Sequence, residues 1–146
     1  MPTYICTTPE DRLSPAQRQE IASEITRLHS EATGAPGYFA QVIFEAVKPG
    51  HYFIGGKPLQ HDQIFLYGRV RHGRATQDKS KMITRMAEAI SRIAGAPRTG
   101  VWVYVGDLPA RQMVEFGHVL PEPGDEDKWS AALPAADREF MQAIGK

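Results

Sequence analysis

The tripeptide Gly34-Ala35-Pro36 recurs as Gly95-Ala96-Pro97, an offset of 61 residues. The same offset carries Ile21 onto Met82, Ile25 onto Met86 and Val42 onto Val103. A chain that repeats itself in this way is built from two copies of one supersecondary unit, and the fold must be one that two such units make together. Each copy reads as strand, helix, strand. Residues 3–7 and their counterpart 64–70 are short and rich in β-branched and aromatic side chains, as strands are. In the first copy Ser14-Pro15 supplies an N-cap and a proline at the first helical position. Ile21, Ile25, Leu28 and Ala32 then mark one apolar stripe running to Gly34. Met82, Ile83, Met86, Ala89, Ile90 and Ile93 do the same up to Gly95. The closing strands are expected over 39–47 and 101–106.

Two β-α-β units connected by right-handed crossovers place both helices on one face of a four-stranded sheet. The expected fold class is α+β, or α/β by looser naming. Residues 48–61 carry Pro49, Gly50, Gly55, Gly56 and Pro58 and read as the joint between repeats, with room for a small hairpin. The repeats span about 2–47 and 62–106. Residues 107–146 form a proline-rich extension expected to close with a short helix over 134–144. The 146 residues are read as a single domain with its own core.

The charge balance removes several classes of partner. Seventeen basic side chains cancel seventeen acidic ones, and no basic run is long enough to track phosphates or anionic lipid, so neither nucleic acid nor a membrane is expected. The only cysteine, Cys6, has no internal disulfide partner, and no Cys/His spacing matches a zinc site. The N-terminus lacks a charged region followed by an apolar one, and no stretch reaches the ~18 apolar residues of a membrane span. A cytoplasmic protein is expected.

A few residues stand out as candidates for chemistry. Pro2 reads either as the start of an edge strand, where a missing N–H is harmless, or as a secondary amine exposed by removal of Met1. A free α-amino group has a reference pKa of about 7.7–8.0, so such an amine can donate or accept a proton near neutral pH. Arg71 and Arg74 flank His72-Gly73 where a strand turns into a helix. Two planar guanidiniums there can clamp a carboxylate, although solvated surface arginines are the competing reading. His29 lies at the margin of the first helix's apolar face, either half-buried or ligand-binding. Alternation puts Tyr104 on the face opposite Val103 and Val105, in a cleft or as an ordinary sheet tyrosine. Glu115 is a surface glutamate unless it enters a cleft beside Tyr104, where it becomes a candidate base for activating water.

Pro2, the duplicated β-α-β unit, and Arg71 with Arg74 together resemble the tautomerase superfamily. Within it the chain is similar to the cis-3-chloroacrylic acid dehalogenase family, from Pro2 to about Met141. The likeness lies in His29, Arg71-His72-Gly73-Arg74 and Val101-Trp102-Val103-Tyr104, and again in Met113-Val114-Glu115-Phe116-Gly117 and Leu120-Pro121-Glu122-Pro123-Gly124. Phe116 departs from the pattern, standing where tyrosine is expected, and the loops at 34–38 and 48–57 differ in detail.

The resemblance implies a homotrimer and catalysis without metal or organic cofactor. It implies that Arg71, Arg74 and His29 bind the substrate's carboxylate, that Glu115 and Tyr104 activate water, and that Pro2 moves a proton. The implied reaction is hydration of a 3-haloacrylate to malonate semialdehyde with loss of halide. Hydration or decarboxylation of acetylenic acids, and keto-enol tautomerisation of a phenylpyruvate-type substrate, are open to the same residues. A non-catalytic carboxylate binder would need Pro2 to be inert.

Overall fold

The computed structural model describes residues 2–146, and the duplication expected from the sequence organises it from Thr3 to Leu108. Met1, whose removal the reading of Pro2 as an amine requires, lies outside the described residues. The first unit comprises β1 (Thr3–Pro9), α1 (Pro15–Thr33) and β2 (Gln41–Val47). A small hairpin of β3 (Phe53–Ile54) and β4 (Lys57–Pro58) joins it to β5 (Ile64–Arg71), α2 (Thr76–Ala94) and β6 (Val101–Leu108). Both ends of α1 map onto both ends of α2 at the offset of 61 read from the sequence.

Local chemistry accounts for the boundaries. Ser14 caps α1 by accepting from the Gln17 N–H at 3.1 Å, while the Gln17 side chain returns a bond from the Ser14 N–H at 3.0 Å, a reciprocal capping box. β2 starts two residues later than the expected residue 39, because residues Gly37–Phe39 close a 3-10 turn with the Ala40 N–H on the Gly37 carbonyl. Arg12 grips Asp62 through two bonds of 2.7 Å and also donates to the Ala94 carbonyl at 2.9 Å. One guanidinium thereby ties the joint between units to the end of α2.

The sheet runs β2-β1-β5-β6, with the outer pairs parallel and the central β1–β5 pair antiparallel. Alternation sends Tyr4, Cys6, Ile64, Leu66 and Val70 toward the helices, where they pack with Ile21, Ile25, Leu28, Met82, Met86 and Ile90 in the main core. The opposite sheet face carries Phe65 and Tyr67 half-buried, with Ile43, Trp102 and Tyr104 at 40%, 43% and 53% exposure.

Beyond β6 the chain forms a hairpin of β7 (Val114–Glu115) and β8 (His118–Val119), then α3 (Glu126–Ala132) and α4 (Ala135–Ala143). The closing helix agrees with the sequence reading. The hairpin and α3 were not expected from it. Ala110, Leu120, Leu133 and Met141 of this extension pack with Ala35 and Phe39 in a second apolar cluster, which carries the extension over the C-terminal end of α1. Among the described residues no helix is long and apolar enough to cross a membrane, and no group of His, Cys, Asp or Glu side chains is placed to hold a metal ion.

Candidate active site

Strand register decides which candidates meet. Pro2, its side chain fully buried, immediately precedes β1, and its carbonyl accepts the Gln41 N–H at 3.0 Å. The pairing Thr3↔Arg69 sets this end of β1 beside the end of β5, where Arg71 is the last strand residue. The C-terminal part of α1 supplies His29 and the turn before α2 supplies Arg74 to one hollow at this edge.

Arg71 is buried at 5% exposure, not solvated. Its Nη1 donates to the Pro121 carbonyl at 2.8 Å, and its Nη2 donates to Glu126. The turn that follows depends on Gly73, whose φ of +106° few side chains tolerate and whose missing side chain leaves room for Pro123. A Cβ there would stand 2.5 Å from Pro123 Cγ. Arg74 makes no hydrogen bond or ion pair among the described residues, so its charge is uncompensated by direct contact.

His29 is buried in the wall rather than at the margin of its helix. The Tyr4 hydroxyl lies 2.8 Å from Nδ1, leaving Nε2 as the nitrogen that can meet a ligand. Burial, with the positive charges of the amino terminus and Arg74 adding to it, pushes the imidazole pKa down to about 4. The ring is therefore neutral near pH 7. Tyr4 was not singled out in the sequence, although alternation with Cys6 and Thr8 already puts it on the helix-facing side.

His29, Arg71 and Arg74 line one small hollow with Ala32, Thr33, Ala35, Val70, Asp78, Lys79 and Met82. Its volume of about 20 Å³ accommodates a group little larger than a water molecule. Four of its residues, Thr33, Ala35, Arg71 and Arg74, also line a wider cleft walled by Phe39, Pro121, Glu126, Asp127 and Trp129. The hollow is thus the floor of that cleft. Lys79 is paired with Asp107 at 2.6 Å, which leaves the two arginines as the cations facing inward.

Glu115 lines a neighbouring groove with Thr3, at the start of β1, and with Tyr38, Phe39, Gln41 and Phe116. Phe116 follows it in the hairpin turn at φ +53°. The Phe116 ring packs against Phe39 at 5.8 Å and Phe140 at 6.3 Å, so its departure from tyrosine falls in a wall of aromatic rings.

Tyr104 is not brought to Glu115 within one chain. It is opposite Tyr67 on β6, edge-on to Phe65 at 5.0 Å, whereas Glu115 is beside Thr3. β1 and β6 are separated by β5, which at the usual strand spacing is roughly 10 Å.

A family model described as a putative oxalocrotonate tautomerase enzyme matches residues 1–132. Among solved structures, N1, a member of the cis-3-chloroacrylic acid dehalogenase family, is 30% identical with a TM-score of 0.91, covering 96% of this chain and 98% of that one. Native Ps01740 is 31% identical with a TM-score of 0.74, covering 77% and 99%. A wild-type fused 4-OT, described as an asymmetric trimer, shares the fold at 18% identity and a TM-score of 0.74, covering 80% and 94%. No curated protein matches the chain.

Proposed function

The chain belongs to the putative oxalocrotonate tautomerase family and, within the tautomerase superfamily, to the cis-3-chloroacrylic acid dehalogenase family; from that premise we propose that it is a cofactor-independent enzyme that hydrates a small unsaturated carboxylate, with a cis-3-haloacrylate as the leading substrate. The observation that carries this reading is the convergence of two guanidiniums and a neutral imidazole on one hollow beside the start of β1.

Arg71, Arg74 and His29 Nε2 hold the carboxylate and draw electron density toward it, which makes the β-carbon electrophilic. Water adds there, giving its proton to Glu115. The protonated amine of Pro2, freed by removal of Met1, delivers a proton to the α-carbon. The resulting halohydrin expels halide and a proton and becomes malonate semialdehyde. Nearby guanidiniums disfavour a cationic Pro2, but Arg71 is paired with Glu126, so one uncompensated arginine rather than two opposes the charge.

The separation of Tyr104 from Glu115 supports a homotrimer, in which the open sheet face is covered and Tyr104 serves the site of a neighbouring copy. The test is halide release from cis and trans 3-chloroacrylate by wild type, Pro2→Ala and Glu115→Gln. The expected result is release from the cis isomer that both substitutions abolish. Failure of both isomers to release halide rejects the dehalogenase assignment, and faster ketonisation of an enol with the same dependence on Pro2 reassigns the protein as a tautomerase.

A further inference from the structure

Among the described residues, one group alone bonds the ring of His29: the hydroxyl of Tyr4, a side chain sealed in the core. That hydroxyl reaches two atoms, His29 Nδ1 at 2.8 Å and the Met82 sulfur at 3.8 Å. Burial pushes the phenol pKa up, so the oxygen keeps its single proton. The proton goes to the better acceptor. A bare imidazole nitrogen accepts strongly and a thioether weakly, so the short contact is O–H···Nδ1, and the ring proton of the neutral imidazole is then on Nε2.

The tautomer matters because His29 lines the hollow with Arg71 and Arg74, and its Nε2 has no hydrogen-bond partner among the described residues. A carboxylate has lone pairs and no proton to give, so it is bound by Nε2–H and repelled by a bare Nε2. In the reverse arrangement Nδ1–H would donate to Tyr4, the Tyr4 proton would go to Met82, and a lone pair would meet the anion. The partner behind the ring also sets its charge. A carboxylate in the place of the Tyr4 hydroxyl would favour an imidazolium, whereas a hydroxyl lets the ring donate uncharged. Asp78, the one acid lining the hollow, makes no bond to the ring. The floor thus gains a donor without a third cation to oppose a protonated Pro2.

We propose that Tyr4 is a positioning residue that holds His29 in its Nε2–H tautomer, so that an uncharged imidazole donates to the substrate carboxylate beside the two guanidiniums. This deepens, and rests on, the reading of Arg71, Arg74 and His29 as the carboxylate floor. Tyr4 is fully buried and acts through His29.

The test is the ¹⁵N spectrum of histidine-labelled protein lacking Met1, taken near neutral pH with and without acrylate, with acrylate affinity measured by calorimetry. Wild type, Tyr4→Phe and Arg74→Ala are compared, and the His29 signals are identified by their loss in His29→Gln. Wild type is expected to show a protonated Nε2 and a bare, hydrogen-bonded Nδ1, with acrylate moving the Nε2 resonance most. Tyr4→Phe is expected to release the Nδ1 lone pair, mix the two tautomers and weaken acrylate about three- to tenfold, the range of one lost buried hydrogen bond. A protonated Nδ1 in acrylate-bound wild type would overturn the proposal without any variant. So would a Tyr4→Phe protein whose Nδ1 resonance and acrylate affinity match those of wild type. If acrylate binding is unaffected by Arg74→Ala, the floor itself is misread and the proposal falls with it; if Arg74→Ala abolishes acrylate binding while acrylate-bound wild type carries the proton on Nδ1, only the role of Tyr4 fails.

Discussion

The Tyr4 hydroxyl lies 2.8 Å from His29 Nδ1, and it can lie there only because residue 68, directly opposite Tyr4 on β5, has no side chain. A Cβ at Gly68 would stand 2.4 Å from Tyr4 Cε1 and 2.7 Å from Cδ1. Two central strands thus cooperate to hold one imidazole at the floor of the cleft.

Gly68→Ala is expected to push the Tyr4 ring off His29, destabilising the fold by about 1–3 kcal/mol as overpacked cores do. Tyr4→Phe keeps the ring and removes only the hydroxyl, at about 1 kcal/mol. Denaturant melts of both variants, read beside the KM for the carboxylate substrate, check this. Tyr4→Phe should raise KM through a disordered His29 even though its melt is nearly normal.

His29 also sets an acid limit on stability. Its folded pKa of about 4 lies below the ordinary histidine value of about 6.5, so the unfolded chain binds more protons between those pH values. Stability should be fully present above pH ~6.5 and fall as the pH drops toward 4, by at most about 3 kcal/mol from this group. His29→Gln should flatten that part of the curve in melts taken at half-unit pH steps. An unchanged slope would mean that other groups dominate acid unfolding.

Gly73→Ala introduces a side chain where φ is +106° and Pro123 fills the space. The turn carrying Arg74 and the loop capping Arg71 cannot both keep their places. The variant should lose at least about 1 kcal/mol of stability and bind carboxylates more weakly than wild type, measured by thermal melts with and without acrylate.

Trp102 and Tyr104 stand exposed side by side on the open sheet face, with Ile43 across the sheet. Light scattering should give about three times the subunit mass. Trp102→Asp should shift the particle toward the monomer, while Tyr104→Phe should leave the assembly intact and lower kcat. A wild-type monomer would contradict the trimer.

Much of this fold is visible in one sequence because its determinants are local and repeated. Ser14-Pro15, the two Gly-Ala-Pro tripeptides and the stripes from Ile21 and Met82 each mark an element by themselves, and the offset fixes how the elements pair. Phe39 misled because the Gly37–Phe39 turn shares its apolar character with the strand that follows. Of the candidates singled out by residue type, Arg71, Arg74 and His29 line one hollow. What could not be read was reach. Glu126 comes to Arg71 from 55 positions away, through a loop whose run of prolines and acids has no periodicity to follow. Tyr104 alternates out of the core as expected, but alternation names a face and not the neighbour across it.

The account turns on an ionisable nitrogen at Pro2, and the most direct measurement is the pH titration of its ¹⁵N resonance in protein lacking Met1. The account predicts a resonance that titrates as an amine and moves when acrylate binds at the arginines. A Pro2 nitrogen that does not titrate between pH 5 and 11, or that titrates with no response to a bound carboxylate, would contradict it.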